Sequence, residues 1–332
     1  MAGPKKVWYA SHILGPRWGK DREMIQKPTT LVLGAGASMP YGFPSGKGLK
    51  EKILNFGPEV LENIGSERAR QLHQELKENQ LREFQKKLLN SSQPSVDAFL
   101  EHRPEFMVLG KLLIAVALIE HEDTDTLVHT DDWYQYLWKR MDTSFSDFHG
   151  NQLSIITFNY DRSLEHFLHT ALVDSYSLSE KNAAEKLKRV PIIHVYGQLG
   201  LLEWQANDDE KANVRPYSSD AETEDINTAA RGIQILSEGK SDKFSETYRL
   251  MGEAELVYFL GFGYNETNME RLNLTALGSE YNDPHRYMGG SCYDLTEAEK
   301  EDFQFRYAGL KLGDIDHTAH AFLRNERRFL RS

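Results

Sequence analysis

Cysteine is almost missing from this 332-residue sequence: Cys292 is alone. One thiol can form neither an internal disulfide nor a multi-cysteine zinc site, so disulfide scaffolds and zinc-ribbon modules are excluded. The same scarcity fits a reducing, cytoplasmic setting. Long apolar runs are missing too. The longest, residues 108–119, carries Gly110 and Lys111 and falls short of the roughly 20 residues that span a bilayer. Lys5, Lys6, Arg17, Lys20 and Arg22 interrupt the start of the chain, which has no signal-peptide core. A soluble chain with no membrane partner is expected. Positive charge is short: 39 Lys and Arg stand against 50 Asp and Glu, a net charge of −11. Neutralising phosphates needs a basic excess, so direct nucleic-acid binding over the whole surface is not expected. Repeats and low-complexity linkers are absent as well.

What is present reads as a globular α/β protein. Hydrophobic residues make up 40% of the chain, enough for a sizeable core. Short apolar, β-branched runs at 29–33, 153–158, 191–196 and 255–260 predict buried parallel strands, and 287–293 predicts a last one. A short strand is also expected at 232–236. Helical spacing separates these runs. Ser45 and Ser95 are placed to cap helices, Pro104 to start one, and Thr296 with Glu299 to form a capping box. Residues 205–230 are acidic, with few apolar anchors, and predict an exposed loop or flap. The expected fold is a doubly wound, Rossmann-like parallel sheet with a large helical insertion at about 59–150. An N-terminal arm over 1–28 precedes a main body over 29–316, and a C-terminal helix over 317–332 follows. No separate effector domain is expected.

The chain is organised around Leu31-Val-Leu-Gly-Ala-Gly-Ala-Ser38, where an apolar strand runs into a small-residue turn. Gly34 and Gly36 let backbone N–H groups approach a phosphate, and Ser38 adds a hydroxyl. The third glycine of a G-x-G-x-x-G dinucleotide fingerprint is missing, because position 39 is Met. Three more strand ends carry polar or glycine-rich groups: Thr157-Phe-Asn-Tyr-Asp161, His194-Val-Tyr-Gly197 and Gly261-Phe-Gly-Tyr-Asn265. Ligands of parallel sheets bind beyond the carboxyl ends of the strands, so all four would share one rim. His166 and His169 are expected at the surface. His317 and His320, three apart, are expected at the surface too, with no carboxylate partner in view and no metal expected.

In combination these motifs resemble the sirtuin family, and most of all its bacterial sirtuin-like branch in anti-phage defence. Gly34 to Ser38 followed by Gly42-Phe-Pro44 is similar to the family's Gly-Ala-Gly-x-Ser and Gly-Ile-Pro segments. Thr157-Phe-Asn-Tyr-Asp161 stands where the family has Thr-Gln-Asn-Ile-Asp, and His194-Val-Tyr-Gly197 stands for its His-Gly. Ser95-Val-Asp-Ala-Phe-Leu100 looks like a helical-insertion motif of the branch. The resemblance spans about residues 29–300. It implies NAD as substrate, with Asn159 and His194 as catalytic residues. It also implies Gly34, Ala35, Gly36, Ser38, Pro44, Asp161, Gly261 and Gly263 as residues that bind the dinucleotide. The activity implied is hydrolysis of the nicotinamide–ribose bond. A deacylase would need the four zinc cysteines, and Ser45-Gly46-Lys47 replaces the family's Asp-Phe-Arg. A non-catalytic NAD or ADP-ribose sensor and a protein deacylase or ADP-ribosyltransferase are the alternatives. By the same resemblance the chain works as a homo-oligomer, beside a DNA-translocase-type ATPase subunit.

Overall fold

Six strands form one all-parallel sheet in the computed structural model, which describes residues 24–62, 74–235, 242–264, 266–280 and 284–331. They are β1 Thr29–Leu33, β2 Leu153–Thr157, β3 Ile192–His194, β4 Leu256–Leu260, β5 Tyr287–Gly290 and β6 Leu310–Leu312. The order across the sheet is β3-β2-β1-β4-β5-β6. The chain thus winds outward from β1 in one direction, returns, and winds outward in the other. This is a Rossmann-like α/β fold, with its switch point between β1 and β4.

Alternation along each strand builds two cores. Leu31, Leu33, Ile155, Tyr258 and Leu260 face one apolar cluster, while Val32, Ile156, Val257, Phe259 and Met288 face the other. Burial on both faces explains why the central strands are mostly apolar or β-branched and do not alternate with charged residues. Between β1 and β2 the chain inserts helices at Gly46–Leu54, Gln74–Asn90, Val96–His102, Met107–Ile119, Thr124–His129 and Trp133–Met141. Leu49, Leu81, Phe84, Phe99, Leu113 and Trp133 from this insertion all join the first core. Ser45, Ser95 and Thr296 cap their helices, each hydroxyl accepting a bond from a first-turn amide.

Several expectations need correction. Residues 205–230 are not an open loop. A 3₁₀ segment covers Asp208–Asn213 and a helix covers Thr223–Gly232, burying Ile226, Thr228, Ala229 and Ala230. Small residues let this helix pack closely against Met107–Ile119, and small residues give a weak hydrophobic signal. The strand expected at 232–236 is the end of that helix plus an isolated bridge between Ile233 and Gly197, and Leu236 lies outside the described residues. The strand at 287 is not the last one, because Leu310-Lys-Leu312 adds β6. Of the N-terminal arm, 1–23 lie outside the described residues. Ile25 is buried and pinned to the sheet's lower edge, its N–H donating to Asn151 Oδ1 at 3.0 Å. At the other end the helix Ala319–Asn325 places Phe322 and Leu323 in the first core. Among the described residues no helix is long and apolar enough to cross a membrane.

Candidate active site at the switch point

Parallel register aligns Leu33 with Thr157 and Leu260, and Thr157 with His194, so the four strand-end segments emerge along one rim. Beyond that rim lies a cleft of about 360 Å³. Gly34, Ala35, Asn159 and Gly263 line it, and Phe158 and Phe262, edge to face at 5.2 Å, form an apolar wall. Asp97 and Glu101 of Val96–His102, in the helical insertion, line the cleft as well, with Asn268 and Arg271 of the Glu266–Arg271 helix. Gly46, the first residue of the Gly46–Leu54 helix, also lines the cleft and brings that helix's positive end to it.

The glycine loops are bound to each other. Gly34 N–H donates to Leu260 O at 3.0 Å and Gly36 N–H to Gly261 O at 2.9 Å. A Cβ on Gly34 would come within 2.6 Å of Gly261 O, and one on Gly261, where φ is +54°, within 2.0 Å of Ala37 N. Glycine is required here by backbone-to-backbone contact across the switch point. Ala37 and Ser38 N–H groups bond back to Gly34 and Ala35 carbonyls at 2.9 and 3.1 Å. In 34–38 only the Ala35 amide makes no backbone bond among the described residues. Gly263 differs: a Cβ there meets nothing within 4 Å.

Asn159 is held from behind. Its Nδ2 donates to Gly34 O and Ser38 Oγ, both at 3.0 Å. Gly34 O only accepts, which fixes the amide's orientation and leaves Oδ1 without a partner among the described residues. Ser38 is buried and donates to Asp161 Oδ2 at 2.7 Å, while Ser163 N–H donates to Asp161 Oδ1 at 3.2 Å. Ser163 Oγ bonds the same oxygen. Asp161 therefore anchors the start of the Ser163–Tyr176 helix beneath the loop and does not line the cleft. Pro44 and Gly36 do not line it either.

His194 also lies behind the cleft. It is 5% exposed; Nδ1 sits 2.9 Å from Asn159 O, and Nε2 bonds the Glu165 carboxylate. Burial alone would depress the imidazolium, but the Glu165 charge and hydrogen bond and the Asn159 carbonyl together hold its pKa above the usual histidine value. The residue of this segment that reaches the cleft is Tyr196. Its hydroxyl donates to Asn268 Oδ1 at 2.7 Å and accepts from Arg271 Nη1 at 2.5 Å, and burial pushes the phenol up to about 12. Arg271 pairs with Glu101 at 3.1 Å. Glycine follows Tyr196 with φ +72°, which turns the chain after β3 and sets Tyr196 apart from His194.

The chain matches no protein-family model and no curated protein sequence.

The other four histidines singled out in the sequence are placed by their contacts. His166 stacks on Tyr217 at 4.2 Å and bonds Thr124 Oγ1 at 2.9 Å; burial, with Arg162 nearby, lowers it to about 4. His169 is buried, stacks on Trp204 at 5.2 Å and reaches Glu180 O at 3.0 Å. His169 is a buried packing residue, and His166 is a half-buried one packed on Tyr217. His317 does have carboxylate neighbours, Asp314 at 3.6 Å and Asp316 at 4.0 Å, whereas His320 faces Asp132 at 3.8 Å. His317 and His320 therefore turn to different carboxylates, and Asp314 and Asp316 are exposed. Sequence reasoning missed Asp97, Glu101, Tyr196, Asn268 and Arg271 as cleft residues. The signal at hand was Ser95-Val-Asp-Ala-Phe-Leu100, an insertion motif whose acidic residue had no partner in sequence.

Proposed function

We propose that this protein is an NAD+ hydrolase of sirtuin-like type, cleaving the nicotinamide–ribose bond to release nicotinamide and ADP-ribose. The observation that carries the reading is the switch-point cleft, where two glycine loops flank an Asn159 amide whose orientation is fixed and whose oxygen has no partner among the described residues. The Ala35 amide and the N-terminus of Gly46–Leu54 supply donors and positive potential for a pyrophosphate. Phe158 and Phe262 offer an apolar wall for the nicotinamide ring. Asn159 Oδ1 accepts from a ribose hydroxyl or holds the attacking water, and being neutral it adds no desolvated charge. His194 acts from behind, its ring fixed by Glu165 and its Nδ1 on the carbonyl of Asn159. It is a positioning residue in this scheme. Ser38 and Asp161 have the same standing, one layer below the loop.

The cellular role we infer is depletion of NAD+ during phage infection, within a homo-oligomer and beside a DNA-translocase-type ATPase. The resemblance in sequence supports it. One observation favours a second reading, a sensor that binds NAD+ without turnover: the histidine expected to act as base has both nitrogens engaged. Incubating the protein with NAD+, alone and in its full assembly, and following nicotinamide separates the two. The hydrolase releases nicotinamide, and Asn159→Ala lowers the rate about 10²-fold while affinity stays within about tenfold, because one hydrogen bond contributes about 0.5–1.5 kcal/mol. A triggered assembly that binds NAD+ and releases none is a sensor.

A further inference from the structure

Hydrolysis at a ribose C1′ calls for a group that stabilises positive charge on the sugar and accepts a proton from water. His194 does not line the cleft, so that group has to be sought among the residues that do. Two carboxylates stand there, Asp97 and Glu101. Arg271 neutralises Glu101 at 3.1 Å. Asp97 pairs with no cation among the described residues; the Tyr160 phenol donates to its Oδ1. Tyr160 belongs to the same Asn159-Tyr160-Asp161 turn that carries the amide oxygen left without a partner among the described residues. One hydrogen bond therefore ties the insertion helix to the β2 turn and sets a carboxylate beside Asn159's segment.

We infer that Asp97 is the catalytic carboxylate of this cleft, standing beside the glycosidic carbon of a bound pyridinium nucleotide. The inference rests on the NAD+ reading. In the step assigned to it, the C1′–N1 bond breaks and its electron pair passes to the pyridinium nitrogen, which leaves as neutral nicotinamide. Water oxygen bonds C1′, and the proton it loses passes to Asp97 and then to solvent. Before the step, the carboxylate faces a cationic ring and so favours NAD+ over ADP-ribose, which lacks that ring.

Burial acts most strongly on the titration of the Asp97 carboxyl, and the groups facing it modulate that effect. On its own helix Glu101 raises it; from the β2 turn Tyr160 lowers it by donating; from the Glu266–Arg271 helix Arg271 lowers it. The Tyr196 phenol faces it from the segment after β3. Burial outweighs these, and the carboxyl sits above the ordinary aspartate range.

The test compares calorimetric affinities for NAD+ and ADP-ribose in wild type, Asp97→Asn and Asp97→Glu across pH 4.5–8, together with nicotinamide release in the full assembly. In wild type the preference for NAD+ should grow as pH rises above the ordinary carboxylate range. In Asp97→Asn, whose side-chain oxygen still accepts from Tyr160, NAD+ affinity should fall about tenfold and lose its pH dependence, with ADP-ribose affinity within about threefold. Nicotinamide release should fall about 10²-fold. Asp97→Glu should restore the pH dependence. Wild-type binding of both ligands with a pH-independent ratio, or an Asp97→Asn that matches wild type, overturns the role of Asp97 and leaves the NAD+ reading standing. Binding of neither ligand by wild type overturns that reading, and the role of Asp97 with it.

Discussion

Two glycines of one turn, Gly261 and Gly263, serve different ends, and this can be measured. Gly261 has φ +54° and no room for a Cβ, so Gly261→Ala strains the backbone and pushes against Ala37. Gly263 lines the cleft with open space where a Cβ would go. Gly263→Val should therefore melt close to wild type and lose at least tenfold in NAD+ affinity, because the branched side chain fills ligand space. Gly261→Ala should lower the melting temperature outright, by an amount corresponding to about 1–3 kcal/mol. Unchanged affinity in a folded Gly263→Val would remove that loop from the site. Gly36→Val is a poor test of binding, since its Cβ would lie 2.9 Å from Gly261 backbone atoms and the fold would suffer first. His194 gives a prediction of another kind. Its pKa is raised in the folded state, so the His194–Glu165 pair stabilises the protein fully below about pH 6.5, the unfolded value. That contribution fades as pH rises through the folded pKa. Melting curves from pH 5.5 to 9 should show this loss in wild type, and His194→Gln should be less stable at low pH and flatter across the range. Parallel curves for the two proteins would mean that the pair does not titrate in this window.

At the scale of elements, the segment after β3 shows how buried charge, beside a few apolar anchors such as Leu199 and Leu202, can hold a chain down. Glu122 accepts from Arg162 Nε at 2.9 Å and Nη2 at 2.7 Å, and from Arg215 Nη1 at 2.6 Å, all three side chains being at most 1% exposed. Other guanidinium donors go to carbonyls of Leu201, Arg215, Pro216 and Ser218. One carboxylate thus bridges two buried cations, backbone carbonyls take their remaining donors, and a segment that reads as a polar loop is fixed. Removing it strands both guanidinium groups, which costs about 3–5 kcal/mol. Urea unfolding of Glu122→Ala should show that loss, and limited proteolysis should open new cleavage sites between 199 and 222. A loss below about 1 kcal/mol would mean that the carbonyl bonds alone keep the segment in place. The same segment brings Gly197 under Gly232 O, where a Cβ would come to 2.0 Å, so its placement also sets where Tyr196 turns toward the cleft.

For the molecule as a whole, the sheet and its two cores follow from patterns a few residues long. Thr29–Leu33, Leu153–Thr157 and Leu256–Leu260 are legible because strands buried on both faces read as short runs of apolar and β-branched residues, and the helix caps because Ser45, Ser95 and Thr296 bond amides three residues on. Parallel connection of those strands then brings the glycine turns and Asn159 to one rim, so the place of the candidate site was legible too. What each rim residue does there was not. Gly34 and Gly36 look like a phosphate cradle in sequence, but their Cβ-free faces are used by Gly261, more than 220 residues away along the chain. His194 looks like a base until Glu165 takes its Nε2, and Asp97 looks like an ordinary first-turn acid until Tyr160 draws it to the cleft. A strand or a cap is decided by neighbours in sequence, through backbone geometry and alternation. The free atom of a polar side chain is decided by which distant groups arrive to satisfy the others, and only the tertiary structure brings them there.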